Sequence, residues 1–185
     1  AKLLSFRQNL IKCYLQLKCT NFSTIIDGAD YINLPSEDAH DYIKELIMCV
    51  VFIQAEICLL TPQFFREILC PAVQTAFQKL MEFVTVLDDL SLSQTTQIVI
   101  DVSAFEESLQ NYLSLESRTL LNAFRAGLLD KIDQTYSRSF HCKGFNCSKD
   151  ALFQNALRNF RSSMRLAIAS LNCDMGEKLD ETSDI

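Results

Sequence analysis

The spacing of hydrophobic residues along this chain predicts a series of amphipathic helices. Apolar residues recur at intervals of three and four through most of the sequence, which is the period of an α-helix. Only 4 Gly and 3 Pro occur among the 185 residues, so the chain has few of the turn residues that a β-sandwich or barrel needs. We therefore predict an all-α fold, an elongated antiparallel bundle of about six helices.

Capping signals place the ends of most of these helices. We expect helices at about 2–19, 36–60, 62–87, 114–136 and 148–171. Ser36, Ser114 and Ser148 are the expected N-caps of three of them, because a serine side chain can accept a hydrogen bond from the first turn.

The start of the remaining helix, the fourth in chain order, is open between Gln94 and Ser103. The run Ile98-Val99-Ile100 has the composition of a strand. The stretch from Ser103 to Glu106 instead has the form of a capping box, which favours a helix. We interpret this segment as helical through Leu113.

Two parts of the pattern predict the hydrophobic core. The segment Leu46–Ile53 is apolar on nearly all sides, so the second helix should be the most buried element. The first helix carries an apolar stripe that should face the core, formed by Leu3, Phe6, Leu10, Tyr14 and Leu17. Five phenylalanines on helical stripes are expected in the core rather than in a ligand site: Phe6, Phe65, Phe77, Phe124 and Phe160.

The negative charge is concentrated at the end of the chain. The net charge is −6, and residues 174–185 contain five acidic residues and one lysine, so they carry −4 of it. We expect residues 1–173 to form a single helical domain, a segment of a longer chain, and residues 174–185 to be an acidic, flexible tail. The near-neutral body gives no general attraction to nucleic acid, so no nucleic-acid partner is predicted.

The eight cysteines leave two compartments open. Cys49, Cys58 and Cys70 lie in apolar helical contexts, where a free thiol behaves as a small hydrophobic group. Two glycosylation-type triplets, at Asn21 and Asn146, nominally favour a secreted protein, although such triplets are common by chance. Secreted disulfide frameworks are short and rich in loops, so we favour a reduced, cytoplasmic protein.

No catalytic, cofactor or metal site is predicted. His141, Cys142 and Cys147 lie in one loop, 137–147, but a structural zinc site needs four ligands and no second pair is near in sequence. The adjacent pairs Asp88-Asp89 and Glu106-Glu107 point about 100° apart on a helix, so neither pair can face one substrate. His40, in the expected first turn of the second helix, is interpreted as an exposed polar residue. We predict a non-enzymatic protein without a cofactor.

Three arginines form the most concentrated like-charge feature on any predicted helix. Arg158, Arg161 and Arg165 lie on one face of the last helix, opposite its apolar stripe. The stripe is either the ordinary solvated face of an amphipathic helix or a contact surface for a partner or an acidic membrane. We favour the solvated face and name the three arginines as the candidate partner surface.

Two blocks of sequence resemble the C-terminal part of the exocyst component 2 family, which is also called Sec-five. The first block holds Asp101, Tyr112, Leu113, Glu116, Ser117 and Arg118. The second holds Leu157, Asn159, Phe160, Ser162, Ser163, Met164 and Leu166. The resemblance runs from about Gln97 to Leu171, with an apparent insertion at 135–149, and the first 90 residues fit only in helical pattern.

The resemblance implies a segment of a rod-like, helical tethering subunit. Such subunits hold secretory vesicles at the plasma membrane before fusion, in exocytosis, and act through surfaces rather than catalysis. It implies other exocyst subunits as partners, peripheral membrane association through the complex, and a cytoplasmic protein recruited to plasma membrane and vesicles. The family binds Ral GTPases through an N-terminal immunoglobulin-like domain, and this chain shows no such strand-rich region, so we expect no Ral binding. Two alternatives stay open: a generic helical adaptor or another tethering subunit, and a secreted helical cytokine.

Overall fold

A computed structural model describes residues 2–32, 37–139 and 146–173 of the chain, with the side chains of 136–139 and 146–150 left out. These ranges fold into seven α-helices without a β-strand, so the all-α prediction is confirmed. The helices are α1 Lys2–Asp27, α2 Asp41–Leu60, α3 Phe65–Thr85, α4 Leu92–Leu109, α5 Leu115–Ser139, α6 Asn146–Ser163 and α7 Arg165–Leu171. Two 3₁₀ turns, Pro62–Phe64 and Gln110–Tyr112, lead into α3 and follow α4. The predicted tail 174–185 and residues 140–145 of the predicted loop lie outside the described residues.

Helices α2 and α4 lie at the centre of the packing. α2 contacts α1, α3, α4 and α7, and α4 contacts α2, α5, α6 and α7. Buried residues from all seven helices join one hydrophobic core. Eleven of the 18 residues of α4 are buried, against eight of the 20 residues of α2. The prediction that the second helix is the most buried was therefore wrong, because a larger share of α4 is buried although each of the two helices contacts four others.

The first helix packs on the core with a different face from the one that the sequence indicated. Leu3, Phe6, Leu10 and Leu17 are exposed, while Tyr14 is partly buried against the core. α1 also extends to Asp27 instead of ending near residue 19. The inward face of this longer helix is formed by Ile11, Leu15, Phe22 and Ile26. Among the five phenylalanines, Phe77 and Phe160 are buried and Phe65 and Phe124 are partly buried, so Phe6 alone of them was placed wrongly.

The second helix starts later than the sequence indicated. Ser36, the expected cap, lies outside the described residues, and α2 begins at Asp41 after His40. His40 is buried, which corrects the interpretation of this histidine as exposed. The end of the helix at Leu60 agrees with the prediction, and Pro62 follows at the first position of the next turn, where a missing N–H costs nothing.

The fourth helix begins at a capping box that the sequence analysis did not identify. The Ser91 hydroxyl accepts a hydrogen bond from the Gln94 backbone N–H, and the Gln94 side chain accepts one from the Ser91 backbone N–H. Ser103 lies inside the helix, so its apparent capping box with Glu106 is not used. The earlier of the two expected starts, near Gln94, was the better one.

Replacing Ser91 with alanine should lower the free energy of unfolding by about 1 kcal/mol, because two first-turn hydrogen bonds of the capping box are lost or weakened. Ser103→Ala is the matched control, since that serine sits within the helix and alanine favours helix; it should change stability by less than about 0.5 kcal/mol. Urea unfolding followed by circular dichroism compares the two. A larger loss at Ser103 than at Ser91 would contradict this start of α4.

The fifth predicted helix has the cap that the sequence indicated, whereas the last predicted helix starts earlier and is divided in two. Ser114 caps α5 as predicted, with its hydroxyl accepting a hydrogen bond from the Ser117 backbone N–H at 3.1 Å. The last helix was expected to run unbroken from a cap at Ser148, but it starts at Asn146 and divides at Met164 into α6 and α7. Met164 donates its backbone N–H to the Phe160 carbonyl, and its own carbonyl accepts the Ile168 N–H, so the backbone hydrogen bonds continue across the division.

Candidate functional site

The candidate surface of three arginines is exposed on α6 and the start of α7. All three side chains face solvent. Arg158 donates a hydrogen bond to the Asn155 side chain of its own helix at 3.2 Å. Arg161 instead reaches across to α4. The three arginines therefore lie on one exposed face, but they differ in the residues that they contact.

Arg161 forms a two-point ion pair with Glu107 on α4. Its Nε and Nη2 atoms donate to the two Glu107 carboxylate oxygens at 2.5 and 2.9 Å. This paired geometry matches the planar guanidinium to the planar carboxylate, and the hydrogen bond raises the pKa of Arg161. This ion pair joins α6 to α4, so Arg161 contributes to helix packing within the domain.

Arg161→Glu should therefore destabilise the protein, since it places two carboxylates face to face. The expected loss in unfolding free energy is about 0.5–1.5 kcal/mol, and Glu107→Arg in the same chain should restore part of it. Arg165→Glu is the matched control on the same stripe and should be nearly neutral. Thermal melts of the three variants test this, and equal effects at 161 and 165 would contradict the pairing.

The neighbouring carboxylates Glu106 and Glu107 diverge to different helices. Glu106 accepts a hydrogen bond from Arg125 of α5 at 2.6 Å, whereas Glu107 pairs with Arg161 of α6. The two carboxylates therefore point to partners on different helices. These ion pairs join α5 and α6 to α4, against which both helices pack.

A buried polar cluster surrounds Asp101 on α4. Asp101 is fully buried, and its Oδ1 atom accepts hydrogen bonds from the backbone N–H of His40 at 2.9 Å and from the side chain of Gln97 at 3.1 Å. Its Oδ2 atom accepts one from the Tyr31 hydroxyl at 2.7 Å and lies 2.7 Å from Nδ1 of His40. The Tyr42 hydroxyl lies 2.7 Å from that of Tyr31. The cluster fastens the connection between α1 and α2 onto α4.

The environment of this cluster suppresses ionisation of its phenols. Burial, followed by the nearby Asp101 charge, raises the pKa of both Tyr31 and Tyr42 far above the ordinary value. The rings of Tyr31 and His40 meet edge to face, with centroids 4.7 Å apart. These tyrosines stay protonated at physiological pH and act as hydrogen-bond donors.

A histidine beside an aspartate invites comparison with an acid–base pair. General acid–base catalysis needs the catalytic atom within hydrogen-bond reach of a substrate. His40 is only 8% exposed and Asp101 is 0% exposed, so a substrate has no access to the pair. The geometry supports a structural clamp. The sequence signal that could have found it was Asp101, the one acidic residue inside the apolar run of α4.

Other residues of the two resembling blocks also join helices. The Tyr112 hydroxyl donates to the Leu171 carbonyl at the end of α7. Ser117 of α5 donates to the Gln74 side chain of α3 at 2.9 Å. Asn159 of α6 donates to the Glu37 carbonyl ahead of α2 at 2.8 Å. These side chains connect segments far apart in sequence, so they specify how the helices pack.

The same two blocks lie within a longer match to a known family. The sequence profile of the family described as Exocyst complex component Sec5 matches residues 1–171. The chain belongs to this exocyst family. The match includes the first 90 residues, where the sequence alone showed a fit only in helical pattern. It also decides against the secreted cytokine.

Two relatives show how the chain relates to whole exocyst proteins. It is 34% identical over 190 residues to exocyst complex component 2 of Caenorhabditis elegans, covering 100% of this chain and 20% of the relative. It is 22% identical over 175 residues to exocyst complex component 2 of Mus musculus, covering 91% of this chain and 18% of the relative. The chain thus spans about a fifth of the length of these relatives. No solved structure matches it.

The family is that of a subunit of the exocyst and not of an enzyme. None of the helices that the structure describes is long and apolar enough to cross a bilayer.

Proposed function

We propose that this chain is a rod segment of an exocyst subunit that helps to tether secretory vesicles to the plasma membrane before fusion in exocytosis. The family match over residues 1–171 carries the proposal. The helices support it, because a single core with long-range polar clamps gives a stiff body that can hold two attachment points apart. In this proposal the protein is cytoplasmic, its partners are other exocyst subunits, and it reaches vesicles and plasma membrane through the complex.

Removal of residues 1–173 from the polypeptide that carries them tests this function in cells. We expect secretion to fall and secretory vesicles to accumulate near the plasma membrane, as counted by electron microscopy. Re-expression of the intact sequence should restore both, while a chain carrying the core substitution Val50→Asp should not. Normal secretion and normal vesicle number after the deletion would refute the tethering role.

Within the arginine stripe we propose Arg158 and Arg165 as the part that contacts an acidic surface of a neighbouring subunit. Arg161 is already occupied by Glu107. A double substitution, Arg158→Glu with Arg165→Glu, should leave the melting temperature within a degree or two and weaken co-purification of exocyst subunits, with strong salt dependence in the parent. Unchanged co-purification would leave the stripe as a solvated face, and loss of binding to acidic liposomes alone would assign it to membrane.

The chain should not bind Ral. This expectation follows from the resemblance, which assigns Ral binding to an immunoglobulin-like domain, while the described residues are helical. Isothermal calorimetry with GTP-loaded Ral should show no heat of binding at concentrations up to about 100 μM, which corresponds to less than about 5.5 kcal/mol of binding free energy. Micromolar binding would overturn the expectation.

A further inference from the structure

Helix α1 has a second apolar face that the bundle leaves uncovered. Its inward face packs on α2 and α3. Its outward face presents Leu3, Phe6, Leu10 and Leu17, which are 86%, 62%, 55% and 72% exposed. Cys13 is exposed as well. Single exposed apolar residues are ordinary, but a set of this size on one helix indicates a binding surface.

The spacing of these five residues is that of a helix-packing seam. Positions 3, 6, 10, 13 and 17 alternate steps of three and four, and at 100° per residue they fall within a sector of about 80°. The seam is about 21 Å long at 1.5 Å per residue. An average period of 3.5 residues is the pattern by which two helices pack side by side, each filling holes in the other. The seam therefore fits a helix better than a flat or globular surface.

An apolar groove continues the seam onto the body of the protein. It lies between α1, the end of α2 and the start of α3, has a volume of about 240 Å³, and is bordered by Leu10, Ile57, Leu60 and Phe64. Leu60 is 66% exposed beside it. A helix lying along α1 can insert a large apolar side chain here, as in other helix-in-groove complexes.

The charge on α1 selects among possible occupants. Four basic residues and no acidic residue lie between Lys2 and Ile26, in a chain whose net charge is −6. Arg7 pairs with Glu67, and Lys18 pairs with Glu56. No ion pair joins Lys2 or Lys12 to another part of the described chain. A second copy of α1 would bring like charges together, whereas a helix with acidic residues beside its apolar stripe would complement them.

We infer that the outward face of α1, with its adjoining groove, is a docking surface for an amphipathic helix with acidic flanks, supplied by another exocyst subunit. The inference rests on the proposed function for the origin of this helix. The seam supplies apolar contact, the groove receives one anchoring side chain, and the lysines fix the charge of the partner.

Cys13 reports directly on whether the seam is covered. In the isolated 185-residue chain Cys13 and Cys173 are both exposed and should react readily with N-ethylmaleimide. Burial raises the pKa of Cys19 to about 11 and also raises those of Cys49, Cys58 and Cys70, so these thiols should react slowly. When the chain is co-purified with exocyst subunits, peptide mass spectrometry should show labelling of Cys13 slowed at least ten-fold. Labelling of Cys173 should stay unchanged.

Charge substitutions on the seam test the same surface by affinity. Leu10→Glu should weaken co-purification of exocyst subunits at least ten-fold and leave the melting temperature within about two degrees, because the residue is exposed. Leu120→Glu is the matched control, since that leucine is 52% exposed on α5, away from the seam and from the arginine stripe. Lys12→Glu should weaken binding at low salt more than at high salt.

The outcomes separate this surface from the wider function. If exocyst subunits co-purify while Cys13 stays reactive and Leu10→Glu binds normally, the docking surface is wrong and the proposed function stands. If no exocyst subunit co-purifies with the parent chain, both fail. Crosslinks from Cys13 to a second copy, or to other residues of its own polypeptide, would also overturn the assignment to another subunit.

Discussion

Asp101→Ala is expected to lower the free energy of unfolding by about 3–5 kcal/mol, among the largest effects of any single substitution in this protein. The carboxylate is fully buried and receives the Tyr31 hydroxyl, the His40 backbone N–H and the Gln97 amide. Removing it takes the acceptor from the Tyr31 hydroxyl and from the His40 backbone N–H, whereas Gln97 keeps its hydrogen bond to the Asp38 carbonyl. Each buried donor left without an acceptor costs about 1–3 kcal/mol. It also releases the connection between α1 and α2 from α4.

Equilibrium urea unfolding by circular dichroism measures the loss. Asp130→Ala is the matched control, because Asp130 is exposed on α5, and it should stay within about 0.5 kcal/mol of the parent. Asp101→Asn keeps the size and one acceptor oxygen, so it should lose less than alanine does. A loss below about 1 kcal/mol for Asp101→Ala would show that the cluster does not hold the helices together.

Val50→Asp should destabilise the protein by a comparable amount, about 3–5 kcal/mol, because it places an unpaired charge in the core. Val50 is 0% exposed on α2, the helix that packs against α1, α3, α4 and α7. Marginal stabilities of about 5–15 kcal/mol are usual for single domains, so this variant should be largely unfolded at modest temperature or denaturant.

Val86→Asp is the control for that variant, since the same change is made at a residue that is 70% exposed just after α3. The cost there should be no more than about 1 kcal/mol, from the unfavourable charge at a helix C-terminus. Thermal melts of the two variants side by side give the comparison. Equal melting temperatures would mean that Val50 is not enclosed.

The local pattern of the sequence predicted the helices where period and caps agreed. In α5, Leu121, Leu128 and Ile132 recur at helical spacing and are buried, and Ser114 caps the helix as predicted. The strand-like run of α4 is helical, because a capping box at Ser91 starts the helix upstream and the apolar residues find neighbours on several sides. Composition alone could not decide that point, since β-branched residues also occur in buried helices.

The candidate surface depended more on the assembled fold. Periodicity placed Arg158, Arg161 and Arg165 on one face, and the structure keeps them there. Periodicity could not show that Arg161 forms an ion pair with Glu107, because the two residues are 54 positions apart in sequence. The burial of His40 and its contact with Asp101 were hidden for the same reason, across 61 positions.

By itself, the sequence determined the all-α class, most of the helix ends and a resemblance to an exocyst family, since caps, periodicity and short motifs are local properties. Only the tertiary structure decided which apolar face of α1 turns inward, because Leu10 and Ile11 are equally hydrophobic and both faces have helical period. The neighbouring helices decide it: α2 and α3 cover Ile11, Leu15 and Phe22. The side chains on the other face stay exposed, namely Leu3, Phe6, Leu10 and Leu17. Burial is a property of the neighbours as much as of the residue, and the neighbours come together only when the chain folds.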